Sequence, residues 1–217
     1  MDGATFRTFR MAIFAETLAV VVALPAGLAQ STQDLTSPAA RDWPTYGRNL
    51  QMWRYSPLDQ INTDNVGTLR LAWSRGLSTI YEDQGSPLEF GAILYINGPD
   101  LVEALVATNG DQVWSTQVGA ILYGVGFSAG PIFADGKIIV GPSGPDVGGA
   151  NGRVIAMDVN SGEILWTFRT VPQLGEPGFD TWQPPSAAHW GGASAWTPGA
   201  YDPASKAVIY GVGQPIP

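Results

Sequence analysis

The chain has 217 residues, of which 45% are hydrophobic and 14% are charged, and its net charge at pH 7 is −8. It has no cluster of basic residues that could follow a phosphate backbone, so the sequence argues against a nucleic-acid-binding protein. The absence of cysteine from the sequence excludes disulfides, thiolate metal sites and a covalently attached c-type haem within these residues.

The N-terminus is typical of a secretory signal peptide. Two arginines precede a short apolar stretch centred on Leu18–Leu24, and small residues up to Ala29 precede a polar segment. The apolar stretch is far shorter than the roughly 20 residues that a membrane-spanning helix needs. We therefore predict a signal peptide over residues 1–29 and a periplasmic domain over residues 30–217. An uncleaved N-terminal segment that holds the chain at the membrane is the alternative.

Beyond this segment, abundant glycine and proline and a repeated motif predict an all-β fold. The chain contains 27 glycines and 17 prolines, as expected for short strands joined by tight turns. Residues 104–114 and 156–166 both read A-x-x-x-x-x-G-x-x-x-W, and they lie 52 residues apart. In each copy the glycine follows Asn or Ser, a pair that favours a hairpin turn. Repeats of this length are typical of β-propeller blades.

Each copy of the repeat ends in a tryptophan, and Leu69–Trp73 looks like the end of an earlier copy. An indole is long enough to reach from one blade to the next, and the small alanine of the repeat suits a position where blades abut. We therefore predict that three tryptophans pack between blades and take no part in chemistry. They are Trp73, Trp114 and Trp166.

A series of short motifs follows in an order typical of one enzyme family. The clearest are Asp42–Asn49, Arg54–Asn62, Gly85–Leu88, Gly130–Lys137, Thr170–Pro172, Gly175–Gly178, Trp190–Gly192 and Tyr201–Pro203. From Asp42 to Pro217 the chain resembles the N-terminal part of the pyrroloquinoline quinone (PQQ)-dependent alcohol dehydrogenases. The resemblance implies a partial β-propeller, in which this chain holds three to four blades of an eight-bladed ring at about 50 residues per blade.

The resemblance also implies the chemistry of the family. PQQ lies over a calcium or lanthanide ion near the propeller axis, and the metal polarises the quinone carbonyl while an alcohol is oxidised to an aldehyde or ketone. An aspartate acts as the general base. We therefore expect PQQ and a calcium or lanthanide ion as cofactors, a small alcohol as substrate and a cytochrome c as electron acceptor.

Carried over position by position, the resemblance assigns six residues to the PQQ site. They are Gln84, Ser128, Ser143, Gly144, Pro145 and Trp196. Trp196 takes the position of the tryptophan on which the flat quinone stacks, and hydroxyls and open backbone amides suit an anionic cofactor. Two of the six depart from the family pattern. Gln84 replaces a glutamate, and Pro145 replaces a small residue and has no N–H to donate.

The two residues assigned to the metal also depart from the family pattern. Asp146 stands where the family has a glutamate, and Gln214 stands where it has an asparagine. Both replacements keep an oxygen ligand, which hard cations prefer. One side chain is a methylene shorter and the other a methylene longer, so we predict a metal site with altered ligand reach.

Parts of the family's machinery are missing from the sequence. Between Trp114 and Ser128 roughly one blade is absent, together with the adjacent cysteines and the PQQ-binding arginine that this blade carries in the family. The general-base aspartate is expected beyond Pro217, so no catalytic residue is assigned. We expect a chain that is incomplete and inactive alone, as a fragment or one part of a split protein. A non-catalytic propeller scaffold and a degenerate remnant are the alternatives.

Overall fold

The computed structural model describes residues 31–77, 85–118, 126–144, 152–189 and 192–214. Within these ranges the helices are short. They are α1 (Thr32–Thr36) and the 3₁₀ helices Val66–Thr68, Phe179–Thr181 and Pro185–His189. None of the described helices is long and apolar enough to cross a membrane. The predicted signal peptide lies outside the described residues.

The described strands form three antiparallel sheets. The first contains, in order, β1 (Leu88–Phe90), β2 (Ile93–Asn97), β3 (Leu101–Val106) and β4 (Gln112–Gln117). The second contains β5 (Ile132–Ala134), β6 (Lys137–Val140), β7 (Arg153–Asp158) and β8 (Ile164–Arg169). The third pairs β9 (Ala200–Asp202) with β10 (Ala207–Ile209). Each strand lies beside its neighbour in sequence, so every sheet is an up-and-down meander.

The two four-stranded sheets share the same local irregularities. The β3–β4 and β7–β8 turns contain Gly110 and Gly162, whose φ angles are 75° and 72°. Glycine is favoured there because a Cβ makes this backbone conformation costly. A register shift follows Ala104 in one sheet and Ala156 in the other, at the same position of the repeat. The structure therefore confirms that the two motif copies are equivalent units.

Apolar side chains join the three sheets in series. Phe90 of the first sheet and Phe133 of the second have ring centroids 5.0 Å apart. The rings of Tyr95 and Phe133 are nearly perpendicular, with centroids 6.1 Å apart. A second buried cluster contains Ile139 of the second sheet, and Tyr201 of the third packs against it. The sheets stack like adjacent propeller blades, which confirms the predicted all-β partial propeller.

Two of the predicted interblade tryptophans dock as expected. Trp114 Nε1 donates to the carbonyl of Val159 at 2.9 Å, and Trp73 Nε1 donates to the carbonyl of Ala107 at 3.0 Å. Each indole also lies over the glycine three residues after its carbonyl acceptor, Gly162 for Trp114 and Gly110 for Trp73. A Cβ added at Gly162 or Gly110 would lie 2.6 Å from the ring above it. Glycine is thus required in these turns for close approach as well as for its positive φ.

The third predicted interblade tryptophan lies in a different environment. Trp166 is 39% exposed, whereas Trp114, at the same position of its repeat, is 7% exposed. All six residues of β8 are exposed. Within the described ranges, no turn covers Trp166 in the way that the Val159–Gly162 turn covers Trp114. The prediction of interblade packing is therefore confirmed for two of the three tryptophans.

Candidate cofactor site

Five of the eight residues predicted to contact PQQ or the metal lie in the described part of the chain. They are Ser128, Ser143, Gly144, Trp196 and Gln214. The other three, Gln84, Pro145 and Asp146, lie outside the described residues. The roles of all eight stay predictions, and the structure gives the positions of the first five.

Ser143 and Gly144 lie in the loop that follows β6. The backbone of Ser143 pairs with Gly126, whose amide donates to the Ser143 carbonyl at 3.2 Å and whose carbonyl accepts from the Ser143 amide at 2.8 Å. Because Gly126 lies two residues before Ser128, this bridge places the segment that leads to Ser128 beside the Ser143–Gly144 loop. Gly144 has a φ of 102°, a conformation that side chains rarely adopt. The loop therefore has a glycine where the backbone conformation favours one.

Trp196 follows a buried stretch, residues 192–195, which we call the floor segment. The floor segment passes so close to Gly141 and Gly152 that a Cβ at either position would clash with its carbonyl oxygens. Thr170 Oγ1 donates to the Ala193 carbonyl at 2.5 Å. The end of β6 and the two ends of the β7–β8 hairpin thereby fix the backbone that leads to Trp196.

Gln214 lies on the other side of the floor segment. The amide of Ala193 donates to the Gln214 carbonyl at 2.9 Å, and the amide of Gly213 donates to the Ser194 carbonyl at 2.8 Å. Gln214 is exposed, so its side chain lies at the surface while its backbone is held. The predicted floor tryptophan and one predicted metal ligand are thus attached to the same short backbone ladder.

The hydroxyl of Ser128 completes this arrangement. Its Oγ donates to the backbone carbonyl of Trp196 at 2.9 Å across 68 residues of sequence. The Trp196 side chain is 48% exposed, so part of its indole remains available for stacking. Hydrogen bonds therefore link Ser128 to Trp196 and Gln214 to the floor segment that precedes it, and the bridge links Ser143 to Gly126, two residues before Ser128.

The described site residues are uncharged, which limits the chemistry they can perform. Within the described ranges, no group of three or more His, Cys, Asp or Glu side chains could hold a metal ion. Tyr210 lies close to Gln214 in sequence, and burial raises the pKa of its hydroxyl well above the ordinary range. That hydroxyl stays protonated at neutral pH and donates to the Ile139 carbonyl at 3.4 Å. The described part of the site can bind and orient a ligand, but its side chains offer no general base.

The donor set partly fits a flat, anionic quinone. A half-exposed indole on a rigid backbone suits a planar ring, and the Ser143–Gly144 loop offers polar groups beside it. The proton of the Ser128 hydroxyl already has an acceptor, so donating to a cofactor carboxylate would require the hydroxyl to rotate. Of the two predicted metal ligands, the described one, Gln214, is a neutral amide. The quinone half of the site therefore fits better than the metal half.

Sequence reasoning missed the residues that hold the floor segment in place. Thr170 lies in one of the motifs that carry the family resemblance, yet its hydrogen bond to Ala193 was not anticipated. Gly141 and Gly152 were likewise unassigned, although each is required for close backbone approach. The available signal was that these three residues lie in or near glycine-rich or threonine-bearing motifs. The sequence does not reveal what each residue contacts, because each partner lies 23 or more residues away.

Comparison with known proteins decides the family. Residues 43–123 and 121–217 match the family described as PQQ glucose/ethanol/alcohol dehydrogenase, β-propeller domain. The chain belongs to this family. The dehydrogenase subunit of the quinone alcohol dehydrogenase from Gluconobacter oxydans is 33% identical over 182 residues, covering 78% of this chain and 23% of that protein. This PQQ family assignment confirms the resemblance seen in the sequence.

Two further relatives show how much of the length of such proteins this chain covers. A lanthanide-dependent methanol dehydrogenase from Methylacidiphilum fumariolicum is 26% identical over 246 aligned positions, covering 80% of this chain and 40% of that protein. The solved quinohemoprotein alcohol dehydrogenase ADHIIG from Pseudomonas putida superposes with a TM-score of 0.59 at 23% identity, covering 87% of this chain and 37% of that structure. The chain thus spans less than half the length of these relatives.

The alignments also support the predicted internal gap in this PQQ family chain. The alignment with the methanol dehydrogenase has 246 positions although this chain has 217 residues, so the relative contains positions that this chain lacks. The two family matches meet at residues 121–123. That junction falls between Trp114 and Ser128, where the sequence predicts that roughly one blade is absent.

Proposed function

We propose that the chain forms one wall of the PQQ site in an alcohol dehydrogenase that oxidises alcohols to aldehydes or ketones. The observation that carries the proposal is that Ser128 is bonded to Trp196 and Gln214 to the floor segment, while Ser143 pairs with Gly126, two residues before Ser128. These residues come from stretches that are far apart in sequence, and each was assigned to the cofactor site by resemblance alone. A propeller that only binds other proteins has no need of this arrangement.

The residues of this chain would bind and orient the cofactor. Bound PQQ supplies the two-electron acceptor for alcohol oxidation. The exposed part of the Trp196 indole offers a flat apolar surface to one face of the quinone. Ser128 and the Ser143–Gly144 loop offer neutral hydrogen-bonding groups to its carboxylates. The floor segment keeps these groups in position, since its backbone is bonded on both sides.

The proposed metal is a calcium or lanthanide ion, with Asp146 and Gln214 as ligands. Both cations prefer oxygen, which each side chain supplies. A relative whose name states lanthanide dependence supports including the lanthanide. Because Gln214 is neutral, it adds no charge to the ligand set. We therefore expect the ion to bind more weakly than it would with an additional carboxylate ligand.

The proposal extends to the whole enzyme of which this sequence would be a part. A small alcohol is the proposed substrate, and a cytochrome c the proposed electron acceptor. The predicted signal peptide over residues 1–29 supports a periplasmic location, with an uncleaved membrane-held segment as the alternative. Since no general base is assigned in this sequence, we expect the 217-residue chain to bind quinone without turning over alcohol.

A cofactor titration tests the proposal directly. PQQ is added to the purified chain with calcium or lanthanum, and the quinone absorbance and tryptophan fluorescence are recorded. We expect a saturable change in both signals that weakens by about tenfold or more in Trp196→Ala, because stacking on the indole is lost. Trp53→Ala is the matched control, since Trp53 is 70% exposed and belongs to none of the predicted site positions.

The outcomes separate the competing functions. Equal weakening by the two substitutions would contradict the role assigned to Trp196. The absence of any quinone signal at saturating cofactor would overturn the proposal and favour a scaffold or a degenerate remnant. Dye-linked alcohol oxidation is measured in the same samples, and turnover by the chain alone would contradict the expected lack of a general base.

A further inference from the structure

A cavity of about 410 Å³ is lined by residues between positions 35 and 52 and by the strands β5 and β9. Its most buried lining is apolar, with Leu35 and Pro44 from the first part of the chain and Ile132 and Phe133 from β5. Among the described residues that line it, none is a position assigned to PQQ or the metal. Its volume falls in the range of about 300–1,000 Å³ that is typical of small-molecule sites. We call it the α1–β5 cavity.

Part of the lining is open to solvent. Tyr46, Leu50 and Met52 are 41%, 44% and 47% exposed, although all three side chains are large and mainly apolar. A buried apolar interior that ends in exposed apolar side chains gives a ligand both a way in and a surface to cover. The cavity is therefore not a sealed packing defect, and a molecule from solution can reach it.

Two polar side chains in the lining have unused hydrogen-bonding capacity. Asn49 is only 3% exposed, and its Oδ1 accepts from the backbone amide of Trp53 at 3.1 Å. The NH₂ group of Asn49 makes no hydrogen bond to any described residue. Thr45 Oγ1 is buried and likewise has no hydrogen-bond partner in the described part of the chain. A buried donor is costly to leave unpaired, so a ligand oxygen that accepts from it is stabilised.

The charge of the lining restricts the ligand to a neutral molecule. The described residues that line the cavity include no Asp, Glu, Lys or Arg. Burial, and then the charges of Asp135 and Asp202, raise the pKa of the Tyr201 hydroxyl, so this lining residue is uncharged at neutral pH. An ionic ligand would lose its hydration in the cavity and gain no ion pair.

We propose that the α1–β5 cavity binds a small, neutral aromatic ketone or aldehyde. Its carbonyl oxygen accepts from the NH₂ group of Asn49, and its ring lies in the apolar part of the cavity beside Phe133. A ring suits this lining because Phe133 and Tyr46 offer aromatic contacts as well as apolar area. A carbonyl suits the polar wall because the NH₂ group can only donate, whereas an alcohol brings a proton of its own that needs an acceptor.

The proposal is independent of the quinone site. Ketones and aldehydes are the product class of the oxidation proposed above, but the contacts of the α1–β5 cavity involve neither the quinone nor the metal. The test therefore omits both cofactors, and a failure to bind the carbonyl compound would leave the proposed PQQ site untouched.

A methyl group in the lining gives a direct readout of binding. The full 217-residue chain, with ¹³C-labelled methionine methyl groups, is titrated with acetophenone. We expect a saturable shift of the Met52 resonance, because Met52 lines the cavity. Met52→Leu identifies that resonance. The methyl group of Met157, which is fully buried and outside the lining, should shift little. No saturable shift at Met52, or an equal shift at Met157, would overturn the proposal.

Two ligands of nearly the same shape test the polar contact. Ethylbenzene lacks the carbonyl oxygen, so it should bind at least about tenfold more weakly than acetophenone. Benzoate has a carboxylate in place of the acetyl group and should give no saturable shift, because the described lining offers it no cationic side chain. Equal affinities for acetophenone and ethylbenzene, or binding of benzoate as tight as that of acetophenone, would contradict the proposed ligand class.

A substitution at Asn49 tests the donor itself. Asn49→Asp keeps an oxygen for the Trp53 amide but removes the NH₂ group. It should weaken acetophenone binding by about tenfold or more and change ethylbenzene binding little. Asn160→Asp, which adds the same charge in an exposed turn, is the matched control and should leave both affinities unchanged. Unchanged acetophenone binding in Asn49→Asp, or equal weakening of both ligands, would overturn the contact with Asn49.

Discussion

The contact between Gly162 and Trp114 gives a sharp test of how the blades are held together. Gly162 has a φ of 72°, and a Cβ there would lie 2.6 Å from Trp114 Cε3 and 2.6 Å from Thr116 Oγ1. Gly162→Ala therefore adds a left-handed backbone cost of about 1–2 kcal/mol to an overpacking cost of about 1–3 kcal/mol. We expect a total loss of about 2–5 kcal/mol, a large part of the stability of an ordinary domain.

The chain offers a matched control that separates these two costs. Gly175 also has a positive φ, 89°, but a Cβ there would meet no atom within 4 Å. Gly175→Ala should lose only the backbone part, about 1–2 kcal/mol. Urea unfolding followed by circular dichroism measures both variants on one scale. Equal losses in the two variants would refute the steric account of the Trp114 docking.

A double-mutant cycle identifies the clashing partner. In a Trp114→Ala background the indole that opposes the new Cβ is gone, so the cost of Gly162→Ala should fall towards that of Gly175→Ala. An unchanged cost in that background would show that the clash lies with Thr116 or with the turn itself.

Two further predictions concern charged groups. Burial, and then the charge of Asp42, raises the pKa of the Glu89 carboxyl above its ordinary value of 4.5. The folded state therefore binds the Glu89 proton more tightly than the unfolded state does. The stability that the protonated carboxyl contributes is lost as pH rises through the raised pKa. Glu89→Gln should raise the thermal midpoint at about pH 7 and change it little at about pH 4, and a lower midpoint at pH 7 would contradict this sign. Arg75→Met removes the ion-pair partner of the buried Glu103 and should cost about 2–4 kcal/mol in urea unfolding, whereas Arg169→Met, at an exposed pair, should change little. Similar effects of the two arginine substitutions would refute the importance of burial.

The repeat was the part of the fold that the sequence predicted most directly. Alanine, glycine and tryptophan recur at fixed spacing because each is needed by one local constraint, namely a small side chain where blades abut, a positive φ and an interblade indole. These constraints act within a hairpin or between adjacent hairpins, so they leave a pattern in the sequence. The structure confirms the glycine constraint at Gly110 and Gly162 and the tryptophan constraint at Trp73 and Trp114. The exposure of Trp166 could not be predicted, since its environment depends on what lies beside β8.

Contacts between distant segments left no such pattern. The bond from Ser128 to the Trp196 carbonyl joins residues 68 positions apart, and the pair of Arg75 with Glu103 joins residues 28 positions apart. Neither has a periodic signature, and a serine or an arginine in a loop has many alternative roles. Resemblance to a family supplied the predicted site residues, but how the floor segment is held could be read only from the structure.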